Sequence, residues 1–342
     1  MDKLVTFGFV NCNRLHYLKA CVKSLLACTE DYPNKEFIIV DNASLEEGTE
    51  EFLKEAESYA GRPDVQRVHV VRRSRRDPAN EFAAGLNTII ANAHGEYIAP
   101  LQGDMQFVLK GKWLRECVNF LNKYAGQATC VMLDAQRNVT NKRHKFLQVE
   151  FDSELDFYAV ATRSPMATAG DVLYPRQVLD QFAPWSTQNT EHEGSQDSET
   201  EMLNRVKAFV QKAQIPLYTI QPSRPAAVAI YTDRRGTNAR IRGNRRYGDY
   251  WGPKRGDYYY SFIDFDETKP SFTSGRVESE RRPEGIESVA RPIGFSKFVD
   301  KNGDWLKNPI RPETAKPHEW VELGYDYLEP KKTYVDDWLE ED

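Results

Sequence analysis

The sequence predicts an α/β protein built on a mainly parallel central sheet with helices on both faces. Two observations predict it. Apolar, β-branched and aromatic runs alternate with helical periods through the first 133 residues, and the helical stretches are long enough to be right-handed crossovers between parallel strands. A third observation places the ligand end: Asn11, Asp41 and Asp104 each stand just past a strand-like run, where open α/β sheets bind ligands.

The elements follow in order. Leu4 to Val10 reads as a strand, and Asn13 to Cys28 as a helix carrying Leu15, Leu18, Val22, Leu25 and Leu26 at helical spacing. Glu36 to Val40 is the second strand, Glu46 to Ala60 the second helix and Val68 to Val71 the third strand. Asn80 to Ala93 is a helix, Glu96 to Leu101 a strand ending at Gln102-Gly103-Asp104, Lys112 to Tyr124 a helix and Ala128 to Leu133 a strand. Further on, strands are expected at Phe157 to Thr162, Leu217 to Ile220 and Ala226 to Tyr231, and helices at Pro175 to Phe182 and Asp197 to Ala213. Thr187 to Gln196 reads as a polar loop. The division expected is a domain over 1–230 and an Arg- and aromatic-rich C-terminal extension over 231–342 packing on it.

Composition narrows the classes. With 40% hydrophobic and 28% charged residues, the 342-residue chain is an ordinary globular protein, neither disordered throughout nor fibrous. No apolar run approaches the roughly 18 residues needed to span a bilayer. Met1-Asp2-Lys3 leads straight into a strand rather than a signal-peptide h-region, so a cytoplasmic location is expected. The five cysteines, Cys12, Cys21, Cys28, Cys117 and Cys130, contain no C-x-x-C pair and are expected to be reduced core residues. A net charge of -5 disfavours general nucleic-acid affinity.

Two nucleotide motifs are absent. Gly8-Phe9-Val10-Asn11-Cys12-Asn13 follows the first strand where a dinucleotide fingerprint would need its glycines, and no P-loop sequence occurs. What the sequence does contain is Thr6-Phe7-Gly8-Phe9-Val10-Asn11-Cys12-Asn13-Arg14, then Phe37-Ile38-Ile39-Val40-Asp41-Asn42-Ala43-Ser44. Asn87 follows, with Ala93-His94-Gly95-Glu96-Tyr97-Ile98 and Gln102-Gly103-Asp104 after it. In order and spacing this resembles a family 2 glycosyltransferase of the Rossmann-like GT-A fold, over about residues 4 to 230.

That resemblance implies an enzyme moving a sugar from a nucleoside-diphosphate donor to a hydroxyl acceptor, which could be a glycan, a lipid-linked molecule or a protein, by inverting displacement. It implies a donor site of Phe9, Asn11, Arg14, Asp41, Asn42, Asn87, Gln102, Gly103 and Asp104, with Asp41 on the nucleoside. A strand-end carboxylate can accept strong hydrogen bonds from a ribose diol or a base N–H; equally, Asp41 and Ser44 suit a turn or a helix cap. The resemblance makes Asp104 the ligand of Mn²⁺ or Mg²⁺, hard ions that take one or two carboxylates and fill the rest of their shell with phosphate and water. An ordinary acidic turn is the alternative there. Gln102 departs from the family pattern, where an acid is usual.

Asp197, ahead of Glu201-Met202-Leu203, resembles the family's catalytic base, with Gln196 in place of a first acid; Ser198-x-x-Glu201 is also a capping box. The glutamines at 102 and 196 leave open a non-catalytic nucleotide- or glycan-binding protein. Six arginines between Arg234 and Arg246 suit a solvated surface first, phosphate second and nucleic acid last, and Arg72, Arg73, Arg75 and Arg76 invite the same order.

Overall fold

The computed structural model describes residues 2–77, 80–103, 105–107, 109–133, 149–152, 157–161, 172–188, 198–213, 217–222 and 226–229, with short strands at 259–260, 263–264 and 330–331. The chain runs β1 (Val5–Asn11), α1 (Leu15–Cys28), β2 (Lys35–Asp41), α2 (Thr49–Ser58), β3 (Val65–Arg72), α3 (Glu81–Asn92) and β4 (Tyr97–Leu101). It continues through β5 (Met105–Phe107), β6 (Leu109–Lys110), α4 (Trp113–Lys123), β7 (Ala128–Met132), β8 (Val149–Asp152), β9 (Phe157–Ala161), β10 (Val172–Pro175) and α5 (Arg176–Leu179). Then come α6 (Ser198–Lys212), β11 (Tyr218–Pro222), β12 (Ala227–Ala229), β13 (Tyr259–Tyr260), β14 (Ile263–Asp264) and β15 (Pro330–Lys331).

Nine strands form one sheet in the order β3-β2-β1-β4-β10-β7-β11-β9-β8. β1 pairs in parallel with both β2 and β4, and β2 with β3. The chain therefore winds outward from β1 to β3 and returns to the other side of β1, which opens a crevice beyond the carboxyl ends of β1 and β4. The mainly parallel sheet agrees with the sequence, with two reversals inside it: β10 is antiparallel to β4 and β7, and β9 to β11 and β8. Taking Val172–Pro175 into the sheet leaves the expected Pro175 to Phe182 helix only the four residues of α5. The expected strand at Ala226 begins β12, which pairs with β5 outside the main sheet.

Strict alternation along the strands makes the two layers. Phe7, Phe9, Phe37 and Ile39 point to the face covered by α1, α2 and α4; Ile38, Val40 and Ile98 point to the face covered by α3, α5 and α6. On the first face Phe37 meets Phe7 and Phe9 edge-on, with ring centroids 6.2 and 5.8 Å apart. On the second face α3 lies unusually close to β1. A Cβ at Gly8 would fall 2.2 Å from Ile89 Cγ2, and one at Gly85 would fall 2.8 Å from Val10 Cγ1. Only hydrogen at these two positions lets the helix seat against the strand that leads to the crevice.

The opposite end of the sheet is fixed by polar side chains. Lys35, fully buried, gives its ammonium to the carbonyls of Thr29 and Tyr32 at 2.6 and 2.9 Å and to Asp64 Oδ2 at 2.6 Å. All three of its hydrogens are used, as a buried cation requires. Nearby, Glu36 accepts from Thr6 Oγ1 at 2.6 Å and from the His94 amide at 2.5 Å, while the Gly95 amide donates to Thr6 Oγ1 at 2.9 Å. The Ala93-His94-Gly95-Glu96 stretch is thus a turn at the floor of the sheet, remote from the crevice.

Two stability predictions follow from this packing. Gly8→Val forces Ile89 aside and costs about 1–3 kcal/mol, read as a drop in urea midpoint, whereas Gly61→Ala, where a Cβ meets nothing within 4 Å, leaves the midpoint nearly unchanged; equal midpoints would contradict the close contact. Lys35→Met leaves the Thr29 and Tyr32 carbonyls unmatched and takes from the Asp64 carboxyl the nearer of its two cations, and costs about 3 kcal/mol at neutral pH. Burial alone would raise the Asp64 carboxyl, but hydrogen bonds from Lys35 and Arg62 outweigh it and hold it below its ordinary value. A depressed carboxyl stabilises the fold above its unfolded pKa of about 4 and loses that contribution as pH falls through the folded value. The gap between wild type and Lys35→Met in pH-dependent unfolding therefore narrows below about pH 4.

Candidate functional site

The crevice is built from the loops that follow β1 and β2. Asn11 and Asp41 are register partners at the ends of these parallel strands. Asn11 Nδ2 donates to Asp41 Oδ1 at 2.8 Å and to Ser44 Oγ at 3.1 Å. Ser44 closes the turn, donating its hydroxyl to Asp41 Oδ1 at 2.6 Å and its amide to Asp41 Oδ2 at 3.0 Å. The turn role open to Asp41 in the sequence is therefore realised. It does not exhaust the group. A carboxylate offers about four acceptor positions; among the described residues Oδ1 uses two and Oδ2 one, which leaves one on Oδ2.

Residues flanking this hub hold the loops rigidly. Asn13, at φ 50°, accepts the amides of Leu45 and Glu46 at 2.6 and 3.2 Å, and its own amide donates to Ser44 Oγ at 2.9 Å. Glu46 reaches back to accept the Leu15 amide at 2.7 Å at the start of α1. Ala43 also has positive φ, at 52°, a conformation that L-residues hold only where surrounding structure imposes it. Asn42 is buried; its Nδ2 donates to the Glu81 carbonyl at 3.3 Å, and its Oδ1 has no partner among the described residues.

Glu81, at the first turn of α3, pairs with Arg76 at 2.9 and 3.2 Å. Cys12 sits beside it. Burial, and then the charge of Glu81, push the Cys12 thiol up to about 12, so the one cysteine of the five that is not fully buried is a poor nucleophile.

On the other side of β1, the chain leaves β4 at Leu101, which pairs with Phe9. Gly103 then turns with φ 82°, and a Cβ on it would lie 3.4 Å from the Val10 carbonyl. Gln102 is half-buried and Gly103 buried. Arg14 stands at the start of α1, its guanidinium 6.0 Å from the Tyr17 ring centroid. The structure thus brings Asn11, Arg14, Asp41, Asn42, Gln102 and Gly103 to one rim. Asp104, Asp197 and the arginines from Arg234 to Arg246 lie outside the described residues. Among the described residues, no three His, Cys, Asp or Glu side chains converge as a metal site would require.

Glycosyl transferase family 2 matches residues 8–182, just over half of the chain and the whole of this rim. The chain belongs to glycosyl transferase family 2. It is also similar to the uncharacterized protein y4gI of Sinorhizobium fredii, 36% identical over 106 residues that make up 31% of this chain and 11% of that protein. Among solved structures it is similar to S. aureus TarS, with a TM-score of 0.46 at 13% identity over 66% of this chain and 36% of TarS. The mannosyltransferase PcManGT of Pyrobaculum calidifontis, in complex with GDP-Man and Mn²⁺, superposes with a TM-score of 0.45 at 17% identity, over 71% of this chain and 61% of that one. This family 2 chain therefore spans only part of the length of these relatives.

One site expectation needs correction. Phe9 is fully buried and packs edge-on against Phe37; alternation aims it into the core beneath α1 and α2, so it has no surface for a donor. Asn87 has a structural role: it donates from Nδ2 to the Trp185 carbonyl and accepts the Trp185 amide at Oδ1, both at 2.8 Å, which ties α3 to the segment after α5. The arginines after β3 are mostly engaged as well: Arg72 with Glu50 and Glu57, Arg73 with Thr88 and the Ala84 carbonyl, Arg76 with Glu81. Arg75 is exposed. Ser44 plays the turn role open to it in the sequence, whereas Asn13 and Glu46 are the supporting residues that sequence reasoning passed over. An Asn two residues beyond a strand end, a position suited to positive φ, was the available signal.

Two measurements check this site in the family 2 chain. Ser44→Ala removes the acceptor of the Asn13 amide and one donor to Asp41, and should cost about 1–3 kcal/mol in chemical denaturation; a loss within the scatter of surface substitutions, about 0.5 kcal/mol, would contradict the hub. Because a raised thiol is protonated at pH 8, native Cys12 should alkylate with iodoacetamide about a hundredfold or more slowly than a free cysteine there, the rate rising as pH climbs toward 12. Rapid labelling at pH 8, followed by mass spectrometry, would contradict its burial beside Glu81.

Proposed function

We propose that this chain is a nucleotide-sugar-dependent glycosyltransferase whose donor lies along the rim formed by Asn11, Arg14, Asp41, Asn42, Gln102 and Gly103. The observation that carries this reading is the unused acceptor position of Asp41 at a sheet switch point within the family 2 match. A carboxylate already fixed by three donors, two on Oδ1 and one on Oδ2, can accept a ribose hydroxyl or base N–H at Oδ2 without rearranging. The diphosphate then extends across the end of β1 toward Gly103, whose backbone approaches the Val10 carbonyl closely enough that no side chain intervenes.

A divalent cation fits the donor set that follows β4. Gln102 and Asp104 offer hard oxygen ligands on either side of the Gly103 turn, and Mg²⁺ or Mn²⁺ completes such a set with phosphate and water. When bound, it neutralises charge building on the departing diphosphate. The amide at position 102, in place of a second acid, weakens the affinity.

Asp197 takes the proton of the acceptor hydroxyl as that oxygen attacks the anomeric carbon. Topology supports it. β11 starts opposite Ala128, at the amino end of β7, so α6, which precedes β11, ends on that side and begins about 22 Å away, toward the crevice. The acceptor is a hydroxyl of a glycan, lipid-linked molecule or protein, and the displacement is inverting. Residues 231–342 form an extension of the catalytic domain, a reading supported by the parallel pairing of β14 with β6.

The test is a panel of UDP-, GDP- and dTDP-sugars with Mn²⁺, scored for transfer or hydrolysis. At least one donor should be consumed, and Asp104→Ala should lower turnover about a hundredfold, or about 2.7 kcal/mol, with an unchanged melting temperature. No turnover and no thermal shift with any donor would overturn the reading; binding without product would favour a non-catalytic nucleotide-binding protein, the alternative raised by the glutamines at 102 and 196.

A further inference from the structure

The segment between α5 and α6 is gripped from both sides. Asn87, about 9 Å down α3 from its first turn, forms the reciprocal pair with the Trp185 peptide at 2.8 Å in each direction. From α6, Arg205 donates to the Phe182 carbonyl, to the Pro184 carbonyl at 2.6 Å and to Glu201 at 2.7 Å on its own helix. Phe182, Trp185, Met202 and Val206 are buried together in the core on this face. Four backbone groups of one short segment are therefore bound by two side chains from two different helices.

Each helix has its own tie to the site. α3 is seated on β1 through Gly8 against Ile89 and Gly85 against Val10, and its first residue holds Asn42, next to Asp41. α6 begins at the buried Ser198, immediately after Asp197. A continuous rigid path thus runs from the nucleoside end of the crevice, through α3, Asn87, Trp185 and Arg205, to the start of α6. Apolar packing alone would let the segment slide between the helices. A bidentate amide pair fixes its register, because any slip leaves buried donors and acceptors unmatched.

We infer that Asn87 and Arg205 are positioning residues that set the distance between the donor bound at Asp41 and the base end of α6. This rests on the reading of Asp197 as the base. A displacement of about 1 Å between reacting groups can cost about a hundredfold in rate without changing what is bound, so the effect belongs in turnover rather than in donor affinity.

The experiment uses the full chain and whichever of the UDP-, GDP- and dTDP-sugars the wild type consumes fastest. Asn87→Leu and Arg205→Met should each lower kcat about 10- to 100-fold while leaving the KM for the donor within about twofold. Combined with Asp197→Asn, neither should lower kcat further, since the base they position is gone. A raised donor KM with kcat unchanged would mean that Asn87 touches the donor; a lower melting temperature with both constants unchanged would mean packing alone. Either result overturns the inference, as does a further fall on the Asp197→Asn background. If Asn87→Leu does not fold, Arg205→Met carries the same test from the other helix. Full activity in Asp197→Asn overturns the base reading and this inference with it, whereas an inactive Asp197→Asn beside a fully active Asn87→Leu overturns this inference alone.

Discussion

A carboxyl group at a strand end can be buried only if donors reach it, and the loops after β1 and β2 are arranged around supplying them to Asp41. Asn11 reaches across from the neighbouring strand, and Ser44 returns from three residues later with both its amide and its hydroxyl. The same hydroxyl accepts from Asn11 and Asn13, so one oxygen atom joins the two loops. The positive φ angles of Asn13 and Ala43 follow from this convergence. What the constraint leaves for function is small and well defined: one acceptor position on an oxygen that cannot move.

The hub would be of little use if the sheet beneath it could shift. It is kept in place by two contacts of different kinds. At the carboxyl end of β1, hydrogens at Gly8 and Gly85 let α3 lie against the strand. At the amino end of β2, the Lys35 ammonium gathers the Thr29 and Tyr32 carbonyls and Asp64, fixing how α1 ends and how β2 and β3 begin. Close packing positions the site, while the costly buried charge sits at the far edge, where it secures register without competing with a ligand.

The winding β1-α1-β2-α2-β3-α3-β4 was legible because each strand is a run of apolar residues with a clear helical period after it. β10 was not, because Val172–Pro175 is four residues long and ends in the proline from which the helical pattern of Pro175 to Phe182 reads. At the site, Asp41 could be found from its place after Phe37 to Val40, but its partner Asn11 lies 30 residues away and only the register of β1 with β2 joins them. Phe9 was misplaced because a motif gives nearness to the rim but not which way a side chain faces; alternation from Phe7 sends it into the core. The structural role of Asn87 was hidden for a related reason, since its partner at Trp185 is 98 positions on. Local patterns carry elements, and side-chain roles depend on pairings that only the fold creates.

The proposed function puts a nucleoside on the acceptor position of Asp41 that the described residues leave unused. The most direct measurement is a crystal structure of the chain with the nucleoside diphosphate of its donor. The account predicts a ribose hydroxyl or a base N–H about 2.6–3.2 Å from Asp41 Oδ2, with the Asn11 and Ser44 hydrogen bonds intact and the diphosphate passing the Gly103 turn. A nucleotide bound elsewhere, or one that displaces Asn11 or Ser44 from Asp41, would contradict it.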